Sequence, residues 1–483
     1  MTVDIPPLTD IYRHKNGMKH INLVDNEGFS ALFIVNTPVS DNSGVAHAAE
    51  HMVFRRSTMF PQPETLFQLT ALTDAKINAS TFENTTFFHC RSECLQTFKL
   101  AITYLINGLF DPIFSDEDIK SEVKGKKETG VIYRELLGLE SLEKECDSPK
   151  KNNEFNYGGT SNFIGDLNHS DISSFLQCFY QGNNITLVTA NADVNNIFTI
   201  ISLLPKSQEQ SQATLTNKIN TKQKITLENE LNDKKYPKEI KKLIDAYHLT
   251  EQNANFEKVI DCEGIDEAII TAETSLTSQP MISKNGLIPQ LSNLLNQFTH
   301  SQSMIINKNT DLSNNKISVN KQLPGLFVEL YEKAKASLVK CKFNQQKCHV
   351  ISHNQNNALW VSKITQKEAV IANLTSYLIS AYPEFLAHRY QGHCYATQAI
   401  VIENSTYLTI YSAFDVNPAE RLKKIPDYLL MISKDINYIQ DSLTLAKLKF
   451  FQEYGDVDNN IKQITSSNIS SYLHALAIRK LLS

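Results

Sequence analysis

His47, Glu50 and His51 stand together in the run Gly44-Val-Ala-His47-Ala-Ala-Glu50-His51-Met52. Two histidines four apart, with a glutamate three after the first, project from one face of a helix. That grouping is suited to metal chemistry. Two neutral imidazoles can hold zinc through ring nitrogens, while the adjacent carboxylate is better placed to take a proton from a metal-activated water than to bind the ion. Small Ala48 and Ala49 suit a helix whose other surface is tightly packed. The bland alternative is a helix with two packed or solvated histidines.

HxxEH inverts the commoner HExxH order. A catalytic zinc keeps three protein ligands, so a third is needed downstream. Glu135 in Gly130-Val-Ile-Tyr-Arg-Glu135-Leu-Leu-Gly138 is the best candidate, because the apolar stretch would fix one carboxylate in a buried setting. Two imidazoles and one carboxylate leave the ion with net positive charge, which draws the pKa of bound water toward about 7. Glu128 lies two helical turns earlier and could share that face as a group orienting a ligand. It reads equally well as a solvated acid, since Thr129-Gly130 can interrupt the helix.

Other candidates have plainer readings. His349 and His353 flank a strand entering a loop, so they would not share a helix face. Trp360 is expected in the core, and Lys234-Lys235 with Lys241-Lys242 on a solvated helix face. Arg55-Arg56, just after the metal helix, is expected to be solvated, with steering of acidic peptide groups as the alternative.

These residues need elements to position them. Ala31–Val35 and Thr85–Cys90 read as strands enclosing the histidine helix. Leu95 to Leu109 recurs at helical spacing and stops at Asp111-Pro112, and a helix near Ser170 leads into a strand from Ile185. From about 206 to 345 the composition turns polar and Lys-rich, with helical patches at 238–248, 287–298 and 326–339. A capping box at Thr365–Glu368 opens a long apolar helix, strands follow near 396–402 and 407–411, and Asn417-Pro418 opens another helix. The expected organisation is α+β, with two related domains of antiparallel sheet flanked by helices: 1–205 carrying the metal, 346–483 as the second, and 206–345 as a partly helical connector.

The chain has 483 residues, 41% hydrophobic and 20% charged, enough for two or three domains with proper cores. A net charge of −5 with no basic stripe argues against nucleic acid and favours a peptide or protein ligand. No apolar run approaches the roughly 20 residues of a membrane span. The N-terminal residues lack the apolar core of a secretory signal and the Arg-rich character of a transit peptide. Eight scattered cysteines without paired CxxC spacing read as reduced thiols. A cytoplasmic protein is expected.

The stretch Thr37-Pro38-Val-Ser-Asp-Asn-Ser-Gly44-Val-Ala-His47-Ala-Ala-Glu50-His51 resembles the metal helix and lead-in strand of the pitrilysin family of zinc peptidases, in its presequence protease branch. The likeness continues through Ile77-Asn78-Ala79-Ser80-Thr81, Thr86-Phe87-Phe88, Gly130 to Glu135, and Tyr157-Gly158-Gly159 to Tyr180. Arg389-Tyr-Gln-Gly392-His-Cys-Tyr395 is similar to an Arg-x-x-Gly-x-x-Tyr segment of the family's last domain. The resemblance implies that His47, His51 and Glu135 ligate one zinc per chain and that Glu50 is the general base. It implies that Arg389 and Tyr395 stabilise the oxyanion, and that Asn78 and Ala79 lie on an edge strand pairing with substrate backbone.

Family chains are longer and close around the peptide as two halves, so a homodimer is one way for this shorter chain to complete a chamber. The expected activity is endopeptidase cleavage of unfolded peptides. The rival is a non-catalytic, peptide-binding or partner subunit that keeps the fold.

Overall fold

The computed structural model describes residues 8–25, 28–124, 129–145, 155–204, 236–252, 259–260, 327, 330–331, 345–352, 355–402, 407–454 and 460–479. Glu128, His353, Lys234-Lys235, the patch at 287–298 and most of that at 326–339 lie outside them. The protein is α+β, and its elements pack into two compact units.

The first unit is built on a seven-stranded sheet. Its strands are β1 (Leu8–Arg13), β2 (Lys19–Leu23), β3 (Phe29–Asn36), β4 (Lys76–Thr81), β5 (Thr85–Ser92), β6 (Ile185–Ala190) and β7 (Val259–Ile260), in spatial order β4-β5-β3-β6-β2-β1-β7. Pairing is antiparallel except between β2 and β6 and between β1 and β7. β3 and β5 are interior strands buried along almost their whole length, as strands covered on both faces are.

Alternation along the strands sends neighbours to opposite faces. Leu32, Ile34 and Phe87 pack with Ile240, Leu243 and Ile244 of helix Lys238–Gln252. On the other face, Phe29 stacks on Phe98 of α3 (Leu95–Phe110), and Phe88 meets Phe54 at the end of α1 (Val45–Val53). The 238–252 helix also holds Lys242 in an ion pair with Asp25 at 2.7 Å, both largely shielded. Lys242 is therefore a packing cation rather than part of a solvated face.

The second unit contains α2 (Thr65–Leu72), α4 (Asp116–Glu122), α5 (Val131–Glu145) and a four-stranded antiparallel sheet. Its strands are β8 (Gln345–Ser352), β9 (Gln355–Lys363), β10 (Ala396–Ile402) and β11 (Tyr407–Ala413), ordered β10-β11-β9-β8. Phe327, Leu330 and Tyr331 join Val350, Leu359, Val361, Ile400 and Tyr411 on one face. Helix Ala369–Ala381 is tied to β10 by Ser380, whose hydroxyl accepts from the Ala399 amide at 2.9 Å and donates to its carbonyl at 3.1 Å.

Thr365 and Glu368 form the expected capping box, closing a 3-10 turn ahead of that helix. Asn417 caps helix Pro418–Lys434, Trp360 is buried in β9, and His349 lies on β8 with its Nε2 bonded to Asn356. The order β10-β11-β9 repeats β4-β5-β3: along the chain, each hairpin is preceded by a strand and two helices and followed by a further helix, and the hairpin's second strand pairs with that first strand. Among the described residues, no helix is long and apolar enough to cross a membrane.

Candidate metal and peptide site

α1 starts at a backbone crossing. Gly44 precedes it with φ +77°, and a Cβ there would lie 3.0 Å from the Cα of Gly159, itself at φ +84°. Only glycine fits both places, since each needs the left-handed region and the space a side chain would take. The contact brings the 156–159 turn onto the start of α1. The Asn156 amide donates to Asn42 Oδ1 at 2.7 Å, and Asn156 in turn accepts from the Gly158 and Gly159 amides.

The turn delivers one group to the site. The Gly158 carbonyl lies 3.1 Å from His47 Nδ1. A carbonyl can only accept, so Nδ1 carries a hydrogen, and in the neutral ring that leaves the lone pair on Nε2, the tautomer a metal ligand needs. A backbone carbonyl on the far nitrogen is also the usual way in which a ligating imidazole is oriented. The His47 and His51 rings lie 4.9 Å apart at 77°, as an i,i+4 pair on one helix face. Ala48 and Ala49 are fully buried, and Tyr104 of α3 donates to the Phe54 carbonyl at 2.6 Å, holding the end of α1.

Glu50 is buried, and its Oε2 accepts a hydrogen bond of 2.6 Å from Thr81 at the end of β4. Tyr180 is enclosed nearby. Burial, and then the Glu50 carboxylate, push its phenol far above the usual range, so it stays protonated.

Glu135 is on α5, half-buried. His47 and His51 share α1 of the first unit, and Glu135 belongs to the second. Two imidazole nitrogens and a carboxylate oxygen are a donor set that fits zinc. Gly130 sits just before α5 with φ +125°, so the helix starts after the Thr129-Gly130 break. Asn78 and Ala79 are on β4, an edge strand of the sheet among the described residues, with Asn78 exposed and Ala79 facing inward.

Arg389 lies in the last turn of helix Pro383–Tyr390 and donates through Nη1 to Glu122 Oε1 at 3.1 Å, with its guanidinium 5.4 Å from the Phe67 ring centre. Tyr395 precedes β10 and lies against Phe414. Arg55 is 7% exposed, so the Arg55-Arg56 pair is not the solvated one expected.

Thr81, Gly158 and Glu122 were not assigned roles from sequence. The first two fall within motifs quoted above. Nothing in their residue types marks them, because each acts through a tertiary contact.

Residues 39–137, which include His47, Glu50, His51, Asn78, Ala79 and Glu135, match the family model for Insulinase (Peptidase family M16). An uncharacterized protein of Borreliella burgdorferi is 24% identical over 189 residues, 36% of this chain and 20% of that protein. One of Saccharomyces cerevisiae is 22% identical over 204 residues, 39% of this chain and 20% of that protein. The chain thus matches about a fifth of the length of these relatives.

Among solved structures, a protease from Helicobacter pylori is similar at 13% identity and a TM-score of 0.32, over 98% of this chain and 90% of that one. A protein assigned as an M16-like peptidase from Alicyclobacillus acidocaldarius is similar at 9% identity and a TM-score of 0.33, over 98% and 96%. The match over residues 39–137 supports a peptidase or peptidase-like role.

Proposed function

We propose that this chain is a zinc-dependent endopeptidase acting on unfolded peptides. The observation that carries the reading is the pairing on α1 of His47, its Nδ1 bonded to Gly158, with a buried Glu50 carboxylate one turn further on. His47, His51 and Glu135 are the residues that would hold the ion. When bound, zinc supplies Lewis-acid polarisation of the scissile carbonyl and acidifies water toward a pKa of about 7.

Glu50 takes the proton of the attacking water on a carboxylate oxygen and passes it to the leaving amine. β4 offers its open edge at Asn78 and Ala79 to the peptide backbone, which confers tolerance of side chains. Arg389 and Tyr395 are proposed donors to the oxyanion; for Arg389 this requires sharing its guanidinium between Glu122 and the substrate.

That ion pair is also the observation favouring the rival, a peptide-binding partner subunit in which Arg389 is structural. Glu50→Gln separates the two. The variant should retain near-stoichiometric zinc yet cleave an unstructured fluorogenic peptide at least about 100-fold more slowly, the scale of a lost general base. Equal turnover in variant and wild type, or a metal-free wild type, overturns the proposal.

A further inference from the structure

We propose that Thr81 is a positioning residue for the base: its hydroxyl fixes the Glu50 carboxylate to the strand on which the peptide is to pair. This inference rests on the peptidase reading above.

Thr81 Oγ1 donates its single hydrogen to Glu50 Oε2 at 2.6 Å, and both residues are 8% exposed. Hydroxyl bonds to a charged carboxylate at that length are among the stronger ones. With one oxygen so held, the other is the oxygen left to accept the proton of water. A glutamate rotates about three side-chain bonds, so a helix alone would not fix where that oxygen lies.

The donor itself is well anchored. Thr81 is β-branched and stiff at χ1, and it pairs across the ladder with Thr86, whose hydroxyl is bonded to Thr37 at 2.8 Å. The hairpin closes directly behind it, with the Phe82 amide donating to the Thr85 carbonyl at 2.8 Å. Ala79 and Thr81 are two apart and both buried, so they face the same side of β4 as Phe88, the side that meets the end of α1. The strand proposed to grip the substrate backbone therefore carries, on its inner face, the group that aims the base. Base and substrate share one rigid reference, which is what orientation-dependent catalysis requires.

The test compares Thr81→Val, Thr81→Ser and Thr81→Ala with wild type, as full-length zinc-loaded proteins acting on an unstructured fluorogenic peptide. Thr81→Val should lower kcat by about tenfold to 100-fold with KM within about twofold and zinc content unchanged. Thr81→Ser, which keeps the hydroxyl, should return kcat to within about threefold of wild type. By fluorescence anisotropy, Glu50→Gln and Glu50→Gln/Thr81→Val should bind the peptide with equal affinity.

If Thr81→Val does not fold, Thr81→Ala against Thr81→Ser makes the same comparison. A Val or Ala variant that turns over as fast as Thr81→Ser overturns the proposal, as does a loss expressed in KM, zinc content or peptide affinity. A wild type that binds zinc and cleaves nothing overturns the peptidase reading and this inference with it, whereas an active wild type with an equally active Thr81→Val overturns this inference alone.

Discussion

His47 illustrates how little of a candidate ligand's chemistry lies in its own side chain. Its usable tautomer depends on a carbonyl 111 positions along the chain, delivered by a turn that only two crossing glycines allow. His47→Ala should reduce bound zinc from near one per chain to background, read by elemental analysis of the dialysed protein. Gly159→Ala is the sharper case, because no ligand is touched. The added Cβ would lie 2.5 Å from the Gly44 Cα at φ +84°, so the turn must shift. We expect a stability loss of roughly 1–3 kcal/mol by urea unfolding and zinc affinity weakened about 10- to 100-fold by competition with a chelator, the usual cost of losing an outer partner of a ligating histidine. Unchanged affinity would show that the Gly158 carbonyl plays no part in orienting the ring. At this scale the sequence showed the candidate residues, because HxxEH is local, and concealed the contacts that support them.

The first two strands of the chain carry an element-scale property unrelated to the candidate metal site. His14 Nε2 lies 3.2 Å from His20 Nδ1, the rings stack at 5.2 Å, and His20 Nε2 bonds the Thr189 hydroxyl at 2.7 Å. Burial lowers His14 to about 3 from an ordinary 6.5, and burial, then His14 itself, lowers His20 well below that value. The unfolded chain takes up protons below about pH 6.5 that the folded pair refuses. Stability is therefore fully present above that pH and lost as pH falls toward about 3. Between pH 7 and pH 5, His14 alone should cost about 2 kcal/mol. His14→Phe should lessen the decline in urea-unfolding free energy over that interval, and an undiminished decline would show that the pair does not control it. The element boundaries themselves were largely readable: β5 continues the expected Thr85–Cys90 strand to Ser92, and α3 runs Leu95–Phe110 against the expected 95–109. Period and caps fix such segments locally. A solvated Lys241-Lys242 pair was also expected, but Lys242 instead reaches Asp25, a partner 217 positions away that helical periodicity cannot reveal.

For the whole molecule, the repeated strand order β4-β5-β3 and β10-β11-β9 gives two related sheets within one chain. We propose that two chains combine to enclose a peptide, since pairing would supply the second half that the resemblance implies. Light scattering of the purified full-length protein should then give twice the chain mass, and a monomeric mass at assay concentration with full activity would remove the dimer from the mechanism. The α+β alternation and the grouping of His47, Glu50 and His51 as candidate ligands and base were legible in the sequence by itself, because each is written in spacings of two to seven residues that backbone geometry converts directly into a face. Tertiary structure alone decided that Thr81 holds Glu50, that the Gly158 carbonyl meets His47 Nδ1 and that Arg389 is paired with Glu122. Each of these is a contact between segments distant in sequence. Such contacts depend on how sheets order and helices pack, and no local spacing encodes that.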